Sequence, residues 1–287
     1  MFVTVIGQKI FFDVVGSKLA PDGPRMREKP TFLVLHGGPG FDHSGLRGDF
    51  DGFADIAQVI YLDHRGNGRS VPSDPATWTL AQWGDDIRAF CNVLGIEKPI
   101  VLGQSFGGMV AQAYATRHPD HPRALILSST AAHMDLDGSL KIFAQKGGPE
   151  AGAIAERFWN RASEEDVADY MRVCMPLYNR GLRPDDANAR QRAIMQFEVY
   201  RHFSLPGGEI RTMDFRKALA KVLCPVLVMG GEEDPITPPH LAREIIASLP
   251  KGNVELRLFD NCGHGAFRDD AIRALPVVRA FIEKNIS

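Results

Sequence analysis

VLGQSFGGMVAQAYA, residues 101–115, opens as an apolar run and ends in a stretch of strong helix formers. Between the two stands Ser105, with Gly103 two residues before it and Gly107 and Gly108 just after. A strand that turns directly into a helix leaves no room for side chains at the corner, and glycine supplies that room. The same rhythm recurs along the chain. TFLVLHGGPG (31–40), AQVIYLDHRGNGRS (57–70), RALILSST (123–130), CPVLVMGGEED (224–234) and VELRLFDNCGHG (254–265) each place a loop after an apolar strand. Runs apolar on both faces suit a parallel sheet covered by helices on each side. Between them, LAQWGDDIRAFCNVLGI (80–96) puts Leu80, Trp83, Ile87, Phe90 and Leu94 on one helical face, and PHLAREIIASL (239–249) is similar. Alternating strand and helix predicts an α/β fold around a mostly parallel sheet.

Two segments depart from that rhythm. At the N-terminus, TVIGQKIFFDVVG (4–16) reads as a hairpin with Gly7 and Gln8 at its turn, and SKLAPDGPRMREKP (17–30) as a polar surface loop. From 131 to 214 no strand is expected; LKIFAQKGG, AIAERFWNRA, SEEDVADYMRVCMPLY and DDANARQRAIMQFEVYRHF all read as helix. Ser163 is the expected N-cap of the third, with Asp166 completing a capping box. A core of 1–130 and 215–287 carrying a helical cap, or lid, over 131–214 is the domain organisation this predicts.

Composition narrows the function. The 287 residues carry 33 Lys and Arg against 35 Asp and Glu, a net charge of −2, with no basic stripe. Nucleic acid and membrane surfaces are therefore poor partners, and a small-molecule or short-peptide substrate is the better expectation. No apolar run is long enough to span a bilayer, and the first residues lack the pattern of a signal peptide. Four scattered cysteines (91, 174, 224 and 262) show neither zinc-ligand spacing nor a disulfide framework. They read as reduced thiols of a cytoplasmic protein with no metal.

In an open α/β sheet, ligands bind beyond the carboxyl ends of the strands, where all these loops gather. There Gly103-Gln104-Ser105-Phe106-Gly107 has the G-x-S-x-G form that lifts a serine hydroxyl above the sheet at a helix N-terminus. A nucleophilic serine needs a base, and the base needs a carboxylate to orient it. His264 and Asp234 follow later strands, in the chain order serine, acid, histidine. His36 and His64 also lie on strand-end loops, and Glu232 and Glu233 compete with Asp234. The backbone N–H of Phe106 is one oxyanion donor, and HGGPG (36–40) offers a second, from Gly38.

Taken together, HGGPG, LDHRGNGRS, GQSFGG, GEEDPITP and GHGAF resemble the α/β-hydrolase fold, in particular its proline iminopeptidase-like branch. The resemblance covers 1–130 and 215–287. It implies an eight-stranded sheet with a helical cap, the triad Ser105, Asp234 and His264, and no cofactor. It also implies that Asp63 and Arg65 support neighbouring loops. In the cap, FEVYRHF (197–203) is similar to the family's E-x-H-Y-F stretch, which puts Glu198 at the place of an amine-binding acid. Pro235 stands where some members have a Glu. Gln104, Trp159, Glu198 and Tyr200 are the candidate substrate contacts, with Tyr178 and Phe197 as further pocket residues. An aminopeptidase-like amidase is the first expectation. An esterase or lactonase on the same triad is the second, and a non-catalytic binding scaffold the third. Ser105 itself excludes a dehalogenase, which needs a carboxylate at that corner.

Overall fold

The computed structural model describes residues 1–181 and 191–286. Ten strands form in chain order: β1 (Phe2–Val5), β2 (Gln8–Val15), β3 (Leu19–Asp22), β4 (Arg25–Glu28), β5 (Thr31–Leu35), β6 (Gln58–Leu62), β7 (Ile100–Gln104), β8 (Ala124–Ser128), β9 (Val226–Gly231) and β10 (Val254–Phe259). Eight of them make one sheet in the order β1-β2-β6-β5-β7-β8-β9-β10. The pairs β1–β2 and β2–β6 are antiparallel; from β6 to β10 every pairing is parallel. The α/β fold expected from the strand–helix rhythm is the fold observed.

Every residue of β5, β7 and β8 is buried, as the doubly apolar runs required. One face packs under helices α1 (Leu80–Val93) and α2 (Phe106–Arg117), with Leu33, Leu35, Trp83, Val110 and Tyr114 in that layer. The other face holds Phe32, Val34, Phe50 and Phe281. The chain leaves β5 for β6 on one side and returns to β7 on the other. That reversal opens a crevice at the carboxyl ends of β5 and β7, and it is where HGGPG and Ser105 emerge.

Between β8 and β9 the described elements are helical: α3 (Leu136–Asn160), α4 (Glu164–Val173) and later turns including Phe197–Ser204. Gly148, at φ 79°, and Pro149 kink α3. Ser163 caps α4 and Asp166 closes the capping box, as expected. A third apolar cluster, including Phe143, Ile154, Phe158 and Tyr170, holds these helices together. Among the described residues, no helix is long and apolar enough to cross a membrane.

Three local expectations need correction. The N-terminal turn is Ile6-Gly7, both at positive φ (45° and 73°), and Gln8 already pairs with Val5. Two such residues make the turn whose twist matches a tight hairpin. The segment 17–30 is itself an exposed hairpin of β3 and β4. Its Asp-Gly turn outweighs the missing apolar alternation. The helix expected over 185–203 falls partly outside the described residues, and 193–196 is not helical. There the Gln196 amide donates to Gly40 O (2.6 Å), so it has no intrahelical acceptor and the helix begins afresh at Phe197.

Candidate active site

Ser105 sits at φ 55°, ψ −120°, between β7 and α2. A non-glycine residue holds such a conformation only where its surroundings enforce it. Here its N–H donates to Ser128 O (2.9 Å), and its carbonyl accepts from Gly108 N (2.9 Å) and the Thr130 hydroxyl (2.7 Å). A Cβ at Gly103 would collide with the Gly107 carbonyl, and one at Gly107 with the carbonyls of Leu35 and His36. The glycines on either side of the serine are therefore what let α2 seat directly on β5 and β7. Phe106 opens α2, so its N–H is one of the four amides with no intrahelical acceptor, at the positive end of the helix dipole.

Asp234, 1% exposed, follows β9. Its Oδ1 accepts from the amides of Ile236 (2.8 Å) and Thr237 (2.9 Å), and its Oδ2 from the Thr237 hydroxyl (2.9 Å). His264 Nδ1 lies 3.0 and 2.9 Å from the two oxygens. Burial opposes ionisation of this carboxyl, yet the charge and hydrogen bond of His264 and the two amides hold it below the usual carboxylate range. It is an anion built to orient and stabilise an imidazole. Glu232 and Glu233 point elsewhere: the first reaches toward Arg243 (3.4 Å), and the side chain of the second is 48% exposed.

The rival histidines are committed to structure. His36 donates from Nδ1 to Gly37 O (2.7 Å) and accepts at Nε2 from His64 N (3.1 Å), which only a neutral ring can do. His64 stacks on Trp83 with ring centroids 5.2 Å apart. Burial, the main cause in each, pushes both imidazoles down, His64 the further. Asp63 accepts from His43 Nδ1 (2.6 Å), His43 N (2.9 Å) and Arg69 N (2.8 Å). Arg65 grips Asp86 with two hydrogen bonds (2.7 and 2.6 Å). Asn67, in the same loop, accepts from Gly40 N (2.9 Å) and so holds the end of HGGPG.

A cavity of about 500 Å³ lies over this edge of the sheet. Ser105, His264, Gly37, Gly38 and Gln104 line its floor. Gly37 is so close that a Cβ there would lie 3.2 Å from that of Ser105. Phe158, Trp159, Tyr170, Tyr178 and Tyr200 line its roof. Tyr178 and Tyr170 share a hydroxyl hydrogen bond (2.7 Å), and the Phe158 ring stacks on both Tyr170 (3.8 Å) and Tyr200 (4.7 Å). Burial raises the phenols of Tyr170, Tyr178 and Tyr200, which stay neutral. The roof is thus aromatic and uncharged.

Of the residues expected at the site, the structure brings together Ser105, Asp234, His264, Gly38, Phe106, Gln104, Trp159, Tyr178 and Tyr200. Phe197 is half-buried in the apolar cluster of the helices and does not line the cavity. Glu198 does not join the site either: its side chain is 78% exposed and pairs with Arg201 (3.0 Å) one turn on. Val199, Tyr200 and Phe203 take the inward face of that helix and leave Glu198 to solvent. Among the described residues, Asp42 is the one carboxylate lining the cavity. It is bound to Arg69 Nη1 (2.5 Å), Ser44 N (2.9 Å) and Ile194 N (3.1 Å). Arg180 and Arg268 also line the cavity, and nothing in their spacing along the chain marked them.

Comparison with known proteins agrees with this geometry. Residues 30–271 match the family model described as alpha/beta hydrolase fold. A proline iminopeptidase of Pestalotiopsis fici, PfmaB, is 29% identical over 96% of this chain and 99% of its own length. The crystal structure of a Mycobacterium smegmatis proline iminopeptidase superposes with a TM-score of 0.79 at 24% identity, covering 99% of this chain and 98% of that one. A thermophilic esterase from Thermogutta terrifontis gives 0.71 at 23% identity, covering 100% and 99%. With strained serine, buried acid and paired histidine at one crevice of the sheet, and a family match across most of its length, the chain belongs to the α/β-hydrolase fold family and is a hydrolase.

Proposed function

We propose that the chain cleaves small amide or peptide substrates through an acyl-enzyme on Ser105, most like a proline iminopeptidase. The observation that carries this reading is the approach of His264 Nδ1 to both oxygens of a buried carboxylate, beside a serine held at a strained corner of the same cavity. His264 takes the proton of Ser105 at Nε2 as the hydroxyl attacks the carbonyl, while Asp234 holds the ring's tautomer and stabilises the imidazolium. The N–H groups of Phe106 and Gly38 receive the oxyanion. The imidazolium then gives its proton to the leaving amine, and a water repeats the sequence to free Ser105.

Residues 131–214 act as a cap whose aromatic side chains form the acyl pocket, over a core of 1–130 and 215–287. The cavity volume, about 500 Å³, suits a small molecule or short peptide. Cys91, Cys174, Cys224 and Cys262 are free thiols, which fits the cytoplasm.

One observation favours esters or lactones as a second reading. The described cavity wall offers no carboxylate beyond Asp42, which Arg69 already neutralises, so a substrate ammonium has no counter-charge there. A screen of proline p-nitroanilide, p-nitrophenyl esters and lactones, with Ser105→Ala beside the wild type, tests both readings. Hydrolysis should fall at least about 10³-fold in the variant, and a fluorophosphonate should label the wild type at Ser105. Turnover of the anilide supports the peptidase; turnover of esters or lactones alone supports the second reading. Labelling at another serine would overturn both.

A further inference from the structure

We propose that Asp269 and Asn179 form a clasp that positions His264 through its backbone, making the segment Tyr178–Arg180 a working part of the catalytic centre. The inference rests on the reading of Ser105 and His264 given above. The His264 amide donates to Tyr178 O (2.7 Å), and its carbonyl accepts from Asn179 Nδ2 (3.1 Å). The same Asn179 nitrogen donates to Asp269 Oδ2 (3.0 Å), which also accepts from Gly263 N (2.7 Å). Asp269 Oδ1 accepts from Arg180 N (2.8 Å). One carboxylate thus ties the residue before His264 to the two residues after Tyr178, and Asn179 closes the ring on His264 itself.

Position 263 shows how close the two segments lie. A Cβ on Gly263 would run into the Tyr178 carbonyl, so only glycine lets the His264 amide reach it. The ring of Tyr178 meets the imidazole edge to face, with centroids 5.4 Å apart. Neither Asp269 nor Asn179 is bonded to the imidazole. Both fix the φ/ψ of the loop that aims it, and a base displaced by about an ångström loses much of its effect. They are positioning residues.

The test compares Asn179→Ala, Asp269→Ala and the double variant with the wild type, on whichever chromogenic substrate the wild type cleaves. Each single variant should lower kcat about 10- to 100-fold, the order carried by one or two charge-assisted hydrogen bonds, with KM within about twofold. The double variant should be little worse than either, because the two act as one unit. The low-field NMR signal of the His264 Nδ1 proton should shift or broaden in each. If kcat stays within about twofold and that signal does not move, the clasp plays no part in catalysis. A loss confined to KM would make these residues cavity wall and overturn the proposal as well. If Asp269→Ala does not fold, Asn179→Ala decides, since it leaves the Gly263 and Arg180 contacts in place. Activity retained in Ser105→Ala would instead defeat the underlying site reading, independently of the clasp.

Discussion

Replacing Asp234 by Asn removes a charge with almost no change of shape, so its effect isolates what the carboxylate does for His264. Two amides, those of Ile236 and Thr237, donate to Oδ1 at 2.8 and 2.9 Å. They hold the carbonyl oxygen of an Asn on that side and turn its NH2 toward the Thr237 hydroxyl and the imidazole. An NH2 can only donate, so where it takes the place of Oδ2, the nearer oxygen, it favours the ring form with Nδ1 as acceptor and the proton on Nε2. In that tautomer His264 cannot accept the proton of Ser105. The imidazolium formed during attack also loses its partner. At about 3 Å and an effective dielectric of about 20, that attraction is roughly 5 kcal/mol, or about four decades of rate. Asp234→Asn should therefore lower kcat by about 10³- to 10⁴-fold. It should still melt as a folded protein, because both amide bonds survive. Ester hydrolysis and the rate of fluorophosphonate incorporation measure the first, and a thermal melt the second. Activity within tenfold of wild type would refute the assignment, and so would equal damage from Glu233→Gln, whose exposed side chain is expected to matter little.

Gly107→Ala should move the start of α2 and Ser105 with it, because its methyl would strike the backbone oxygens of Leu35 and His36, which cannot swing aside. A loss of about 1–3 kcal/mol in stability is expected, with kcat reduced at least about tenfold. Gly52→Ala, with open space around it, should leave both unchanged. Unfolding by urea should also depend on pH through the buried histidines. His36 and His64 are held below the ordinary imidazole value by burial, and burial likewise lowers His121, to about 4. The unfolded chain therefore binds more protons once the pH drops under about 6.5. Stability should be complete above that pH and decline below it by about 1.4 kcal/mol per unit for each histidine, until the folded-state value is reached. Asp63 and Asp234, held below the usual carboxylate range, keep their contribution until about pH 4 and lose it beneath. A urea midpoint that stays flat from pH 7 to 5 would contradict the neutral assignment of His36 and His64.

The sheet was legible because its signal is redundant. Each of β5 to β9 is mostly apolar on both faces and ends in a loop or turn, so these strands could be located without any long-range information. The hairpin of β3 and β4 escaped because it buries nothing: all four residues of β4 are exposed, and only the Asp22-Gly23 turn marks it. The helix restart at Phe197 escaped for a different reason. The sequence from 191 to 203 has good helical composition, but the Gly40 carbonyl takes the Gln196 amide, a tertiary bond that no local propensity reports.

The placement of Ser105, Asp234 and His264 was legible for the same reason as the sheet: the three sit at strand ends, in motifs that resemble those of the family. The substrate side was not. Glu198 matched a family pattern, yet a pattern of residue types does not say which way a helix faces. Arg201 three residues later already provided a partner, and the apolar residues at 199, 200 and 203 already defined the buried side. That periodicity was the better guide. The deeper gap lies in contacts between backbone atoms. Tyr178 holds the His264 amide through its carbonyl, and Gln196 holds the Gly40 carbonyl through its N–H. Any residue could supply the first and any but proline the second, so no side chain records them. Both bonds join the helical region to the loops that carry His264 and Gly40. A shift of that region would therefore be felt at His264, at the HGGPG loop or at both. The side chains proposed above as a clasp, Asn179 and Asp269, reach backbone in the same place, at His264 O, Arg180 N and Gly263 N, so the helical region and the His264 loop are joined by side chains as well as by main chain.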